Sequence, residues 1–252
     1  MDGPMDGHRP TPLMEGGRRG SPDTRTRASH NPARGAGSRR MASDRKLRQL
    51  QRREADILGA ALDLAARGDW NSVTIDQIAE RADIGKGTLY THFRSKDEVC
   101  ARLVVESKQS LLRKLEAIPV KLPVMERVRM ILRIVWKHNV DNTVHMHLGE
   151  YCELNGEQLT LGEDSAAEMK HIQKALHAFF YGIIEEGVAQ GVFPDKPADY
   201  MLLSGEGALS GAMRLVRSGA CPGIDQEAYL EYLIDFILSG LINPAASVEV
   251  AS

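Results

Sequence analysis

The sequence predicts an all-α protein: a small N-terminal helix-turn-helix domain followed by a larger helical domain. Three observations carry this. Apolar residues recur at three- and four-residue spacing through nearly all of residues 45–243, the period of one helical face. No alternating apolar and polar run, and no Asn-Gly hairpin between β-branched segments, competes with that period. The breaks fall at Pro and Gly clusters, as breaks between helices do. With 252 residues and 42% hydrophobic content the chain can bury one large core or two modest ones.

Residues 1–44 come first. They are rich in Gly, Pro and Arg, with Leu13 and a few Met as their large apolar residues. Such a segment buries too little surface to offset its ordering entropy, so disorder is expected. It is either a basic arm that adds phosphate contacts or sequence upstream of a start at Met41. From Arg45 to Arg67 the pattern turns helical. Leu58, Ala61, Leu62 and Ala65 share a face, and Gly68 stands ready to cap the end. Trp70 and Val73 follow as a plug over a small core.

The stretch from Thr74 to Val99 organises the rest. Ile75, Ile78, Ala79 and Ala82 fall at i, i+3, i+4 and i+7, and Thr74 is placed to cap that helix. After the turn Asp83-Ile84-Gly85, a second piece from Lys86 to Phe93 turns Leu89 and Phe93 inward and leaves Lys86, Thr88, Tyr90, Thr91 and His92 to an outside partner. A helix that short cannot stand alone in water. Braced by a neighbour, it is built as a helix-turn-helix that reads a major groove. Ser95 then caps a longer helix that runs to about Ile118, where Pro119 and Pro123 place a domain boundary. The domains expected are 45–118 for the first, 119–243 for the second, and a flexible tail at 244–252.

The segment from about Arg53 to Glu106 resembles the DNA-binding domain of the tetracycline-repressor-like (TetR) transcriptional regulators. Gly68, Trp70, Val73-Thr74, Ile78-Ala79, Ala82, Lys86-Gly87-Thr88-Leu89-Tyr90, Phe93, Ser95-Lys96 and Val99 carry the resemblance. Two positions depart from the family pattern: Asp83 replaces a common Gly, and Gly85 a common capping Ser. Asp tolerates the left-handed conformation, and Gly for Ser at a cap costs only a few tenths of a kcal/mol. The resemblance implies double-stranded DNA with an inverted-repeat operator as partner. Thr74, Tyr90, His92 and Lys96 would contact phosphates. Lys86, Thr88 and Thr91 would reach base edges, with Gly87 among the DNA-binding positions. Lys96 sits in a first turn, where the helix dipole disfavours a cation; a phosphate partner would account for it.

Beyond residue 118 the pattern gives helices at about 122–139, 143–154, 164–190, 197–218 and 225–242. Those at 164–190 and 225–242 are apolar on more than one side and each needs a second neighbour. The resemblance implies a homodimer, with Phe180, Ile184, Tyr229, Leu233, Phe236 and Ile237 as candidate interface residues. It also implies an enclosed pocket for a small-molecule effector among the helices from 122 to 190. Trp136, Val140, Met146, Tyr151, Phe179 and Phe180 are the candidates, and their scarcity of charge points to a largely apolar effector. The small residues between Ser204 and Ala212 allow close helix approach or a cavity wall.

Other chemistries find less support. The net charge of −2 hides a basic N-terminus and an acidic C-terminal half, and the basic end suits nucleic acid. Cys100, Cys152 and Cys221 are far apart and lack C-x-x-C spacing, so neither a disulfide framework nor a zinc ribbon is indicated. A metal-responsive regulator using His138, His145, His147 and Cys152 is the alternative, since imidazole and thiolate suit zinc or copper. His145 and His147 lie two apart, however, and point to different sides of a helix. No phosphate-binding loop, nucleophile elbow or metal-hydrolase spacing marks an enzyme, and no cofactor is implied. No apolar run approaches eighteen residues, so a cytoplasmic, membrane-free protein is expected.

Overall fold

The computed structural model describes the backbone of residues 32–242 and the side chains of residues 44–242. The expectations for residues 1–31 and for the tail at 244–252 lie outside the described residues. The chain divides into two compact units, Met1–Arg48 and Gln49–Ser252. In the first, the described backbone is the leading part of a helix, α1, which spans Pro32–Arg67 and so begins earlier than the expected Arg45.

The second unit is built from helices alone among the described residues. A short 3-10 turn, Trp70–Ser72, leads to α2, Ile75–Arg81, and α3, Lys86–Tyr90. Thr74 caps α2 in a reciprocal box: its hydroxyl accepts from Gln77 N at 3.3 Å, and its own N–H donates to Gln77 Oε1 at 2.8 Å. Asp83 holds φ 52° in the turn, as an Asp there can. Gly68 directly follows the last residue of α1, as expected of a residue that ends it, and does so without a left-handed φ. The long helix α4 is Lys96–Glu116. Then come α5, Val124–Asp141; α6, Thr143–Asn155; α7, Glu163–Ala189; α8, Ala198–Arg217; and α9, Gln226–Leu241. Each lies within two residues of its expected span. Besides α1, α3 departs from its expected span: it stops at Tyr90 and not at Phe93, with Thr91 as its C-terminal cap and the Thr91 hydroxyl donating to Thr88 O at 2.6 Å.

Two apolar cores organise the second unit. One gathers Ile57, Ala61, Trp70, Ile78, Leu89, Phe93, Val99 and Leu103, and it takes in Leu148 and Cys152 of α6 and Met169 and Ile172 of α7. The other joins Leu115, Val128, Leu132, Trp136, Ile184, Phe193, Leu209, Leu233 and Ile237. The change of core falls within α4. Phe193, between α7 and α8, is one of the most deeply buried side chains, at 1% exposure. It fits because Gly187 has no Cβ: one added there would stand 2.0 Å from the Phe193 ring. Among the described residues no helix is long and apolar enough to cross a membrane.

Candidate nucleic-acid interface and cavity

The outward face of α3 is built on two anchors. Leu89 is fully buried and Phe93 nearly so, while Lys86, Gly87, Thr88, Tyr90 and Thr91 around them are exposed. Gly85 starts the helix without a side-chain cap. Nothing lies within 4 Å of where a Cβ on Gly87 would be, so the backbone there is open to close approach by a partner. Lys86 Nζ pairs with Asp76 Oδ1 at 2.6 Å, and that pairing raises its pKa. An exposed pair of this kind contributes little, so Lys86 is readily released to a stronger anionic partner. The Thr74 hydroxyl is engaged in its capping box, and His92 is half-buried beside Phe93 and Glu98.

Lys96 differs from the expectation. Its ammonium points inward and donates to the carbonyls of Trp70 at 3.0 Å and Asn71 at 3.2 Å. It also stands 5.6 Å from the Trp70 ring centroid and 5.8 Å from that of Tyr151. Two carbonyls and two aromatic faces explain how a cation is held in the first turn of a helix. Phosphate is not needed to account for it.

Lys96 belongs to a hub at the start of α4. Ser95 Oγ donates to Thr160 O at 2.6 Å and accepts from Glu98 N at 3.0 Å. Asp97 accepts from Tyr151 Oη and from Thr160 N, each at 2.9 Å. Glu98, 6% exposed, accepts from Arg94 N and Gly162 N, each at 2.7 Å. Burial and the Asp97 bond push the Tyr151 phenol up. One turn further, Arg102 Nε and Nη1 engage Glu54 at 3.0 Å, Glu106 at 3.3 Å and Glu168 at 2.9 Å. The same few residues of α4 therefore grip the helix-turn-helix on one side and α6 and α7 on the other. Sequence reading missed this hub, although Ser95-x-x-Glu98 is a capping-box signature.

A partly open cavity of about 630 Å³ lies among α4 to α9. Its apolar wall includes Val104, Leu111, Ile131, Leu132, Phe180 and Leu209; Lys108, His138, His145, Glu150 and Arg217 add polar groups. Of the six expected pocket residues, Met146 and Phe180 line it. Trp136 instead faces Tyr229 edge-on at 6.2 Å. Val140 packs in the second core, Tyr151 serves the hub, and Phe179 packs edge-on against Phe180 at 5.6 Å.

The histidine cluster disperses. Nε2 of buried His138 lies 3.0 Å from Ser107 Oγ, and its Nδ1 3.3 Å from Lys114 Nζ. An ammonium only donates, so Nδ1 accepts and Nε2–H donates to Ser107. Burial, Lys114 and His145 hold the His138 pKa down, and burial does the same to His145. His147 is exposed, and Cys152 turns towards Cys100. Among the described residues no group of three or more His, Cys, Asp and Glu converges as metal ligands, which removes the support for a metal-responsive reading.

The expected interface residues also separate. Ile184, Leu233 and Ile237 are buried inside the subunit, and Phe180 and Tyr229 are partly so. Phe236, at 62% exposure, faces outward with Tyr200, Leu203 and Tyr232. A helix apolar on two sides can satisfy both within one chain, as most of α7 does.

A short recognition helix braced by a second and carried on a long third defines a helix-turn-helix DNA-binding protein. The family model for bacterial regulatory proteins of the tetR family matches residues 57–103. The chain is 26% identical over 148 residues to the HTH-type transcriptional regulator YhgD of Bacillus subtilis, spanning 57% of this chain and 72% of YhgD. It is 34% identical over 84 residues to the HTH-type transcriptional repressor KstR of Rhodococcus jostii, spanning 33% of this chain and 39% of KstR. Its fold matches the crystal structure of the transcriptional regulator FadR from Bacillus subtilis in complex with stearoyl-CoA, with TM-score 0.58 and 17% identity over 74% of this chain and 98% of that one. The chain belongs to the TetR family of DNA-binding transcriptional regulators, a family and fold of regulators and not of enzymes.

Proposed function

We propose that the protein is a homodimeric cytoplasmic repressor that binds an inverted-repeat operator and releases it when a largely apolar small molecule occupies the cavity. The observation that carries this reading is α4: its first turns hold the reading head, and Val104, Ser107, Lys108 and Leu111 on the same helix line the cavity. A ligand that favours one position of α4 thereby biases the spacing of two heads, which is the whole thermodynamic content of such a switch. KstR is a repressor and FadR holds stearoyl-CoA; both support the reading by likeness. The cavity wall suits a ligand with an apolar body and a polar end. The exposed Tyr200, Leu203, Tyr232 and Phe236 on α8 and α9 support pairing through that face, because monomers rarely leave so many large apolar groups together in water.

The DNA contacts proposed are those of Lys86, Thr88 and Thr91 to base edges and of Thr74, Tyr90 and His92 to phosphates, with Gly87 giving the backbone close approach. Selection of bound duplexes from a random pool at moderate salt, with the mass of the complex measured alongside, tests the reading. An enriched inverted repeat bound by two chains is expected. A monomer with only weak, salt-sensitive, unselective binding would overturn it. Lys86→Ala should then change the preferred base at one position by about 1–3 kcal/mol.

A further inference from the structure

Cys100 and Cys152 lie on different helices, α4 and α6, yet their Sγ atoms are 3.5 Å apart. Both are free and buried; Cys100 is 0% exposed and Cys152 8%. The Cys100 thiol also lies 3.6 Å from the Leu148 carbonyl, one turn before Cys152. Lys108 and Glu153, paired at 3.6 Å, flank the site. Two thiols at van der Waals contact are within reach of a bond of about 2 Å.

We propose that Cys100 and Cys152 form a modification site: a peroxide converts them into an intramolecular disulfide that ties α4 to α6. Cys152 is the less buried of the two, and it is the attacking group. The Cys100 contact draws the Cys152 thiol down against the opposing effect of burial, with Lys108 adding to the fall, while that contact and burial push the Cys100 thiol up. The Cys152 thiolate attacks one peroxide oxygen; the O–O bond breaks, giving a sulfenic acid and a hydroxide that leaves as water with the Cys152 proton. Cys100 sulfur then attacks the sulfenic sulfur. The S–S bond forms, the S–O bond breaks, and the hydroxide departs as water with the Cys100 proton. Two sulfurs are each oxidised by one electron and the two peroxide oxygens are each reduced by one.

The consequence rests on the regulator reading; the chemistry does not. Cys100 stands one turn beyond the hub and one turn before Val104 on the cavity wall, so the bond would fix α4 to α6 between its reading end and its cavity end. The first test is the full chain carrying Cys221→Ser, treated with hydrogen peroxide under native conditions and then weighed after alkylation of any remaining thiols in denaturant. A loss of about 2 Da without alkylation, reversed by dithiothreitol, is expected, with one peptide joining Cys100 to Cys152. Two alkylated thiols, a gain of about 32 Da, or disulfide-linked dimers would each overturn the site. With Cys100→Ala, a sulfenic acid should persist at Cys152 and be trapped by dimedone; trapping at Cys100 in a Cys152→Ala chain instead would overturn the order of attack. Operator affinity should differ about fivefold or more between oxidised and reduced protein. A disulfide that leaves affinity unchanged refutes the switch and keeps the chemistry; a disulfide in a chain that selects no DNA sequence refutes the regulator reading and not the site.

Discussion

The two cores of this chain are of similar size but are built by different rules. The reading-head core sets the short α2 and α3 against the longer α1 and α4, and local chemistry fixes the ends: the Thr74–Gln77 box, Asp83 in its turn, the Ser95 cap. The distal core takes its walls from long helices whose ends matter little and whose fit depends on shape, as where Gly187 makes room for Phe193. A short-range rule survives many substitutions elsewhere, whereas an interlocked fit fails at single atoms.

The largest effects should therefore come from the distal core. Phe193→Ala should lower stability by about 3–5 kcal/mol, since it empties a fully buried aromatic site. Gly187→Ala should cost about 1–3 kcal/mol by overpacking, and the two changes should be strongly non-additive in a double-mutant cycle followed by urea unfolding. Additive losses would show that the contact is not the origin of either. Lys96→Ala comes next. Losing two charge-assisted bonds to the 70–71 carbonyls should cost about 1–3 kcal/mol and leave the salt slope of DNA binding unchanged. A slope reduced by about one would restore the phosphate contact that its place in the sequence suggested.

Much of the head was legible because its signals are local. Capping residues and the four-residue spacing around Ile78 and Leu89 lie within one or two turns of what they determine. The cavity was not legible: Met146 and Phe180 reach it while Trp136 does not, because a residue's side of a helix is fixed only once its neighbours are in place. The same holds for Ile184, Leu233 and Ile237, which the apolar pattern offers equally to a second subunit or to the chain's own core.

Smaller effects separate the regions by pH and by capping. His138 sits below its usual value near 6.5, through burial, Lys114 and His145, with Asp141 opposing. Above 6.5 it is neutral whether folded or not and contributes nothing to pH dependence. As pH falls below 6.5 the unfolded chain takes up the proton first, so stability falls until the folded value is passed. Thermal unfolding should show a smaller drop between pH 7.5 and 5.5 in His138→Gln than in the parent chain; an equal drop would place the sensitivity elsewhere. Gly85→Ser should have the least effect, raising stability by a few tenths of a kcal/mol through the missing cap. The backbone there has an ordinary φ of −67° and nothing lies within 4 Å of a new Cβ.

The sequence by itself determined the helices, their order, the helix-turn-helix and the family, because each rests on spacing or capping within a few residues. Only the tertiary structure decided which faces meet. It turned Lys96 towards the Trp70 and Asn71 carbonyls, dispersed the histidines, buried Phe193 against Gly187, and brought Cys100 to within 3.5 Å of Cys152. Contacts between residues far apart in sequence depend on the packing of whole helices, and no local pattern encodes them.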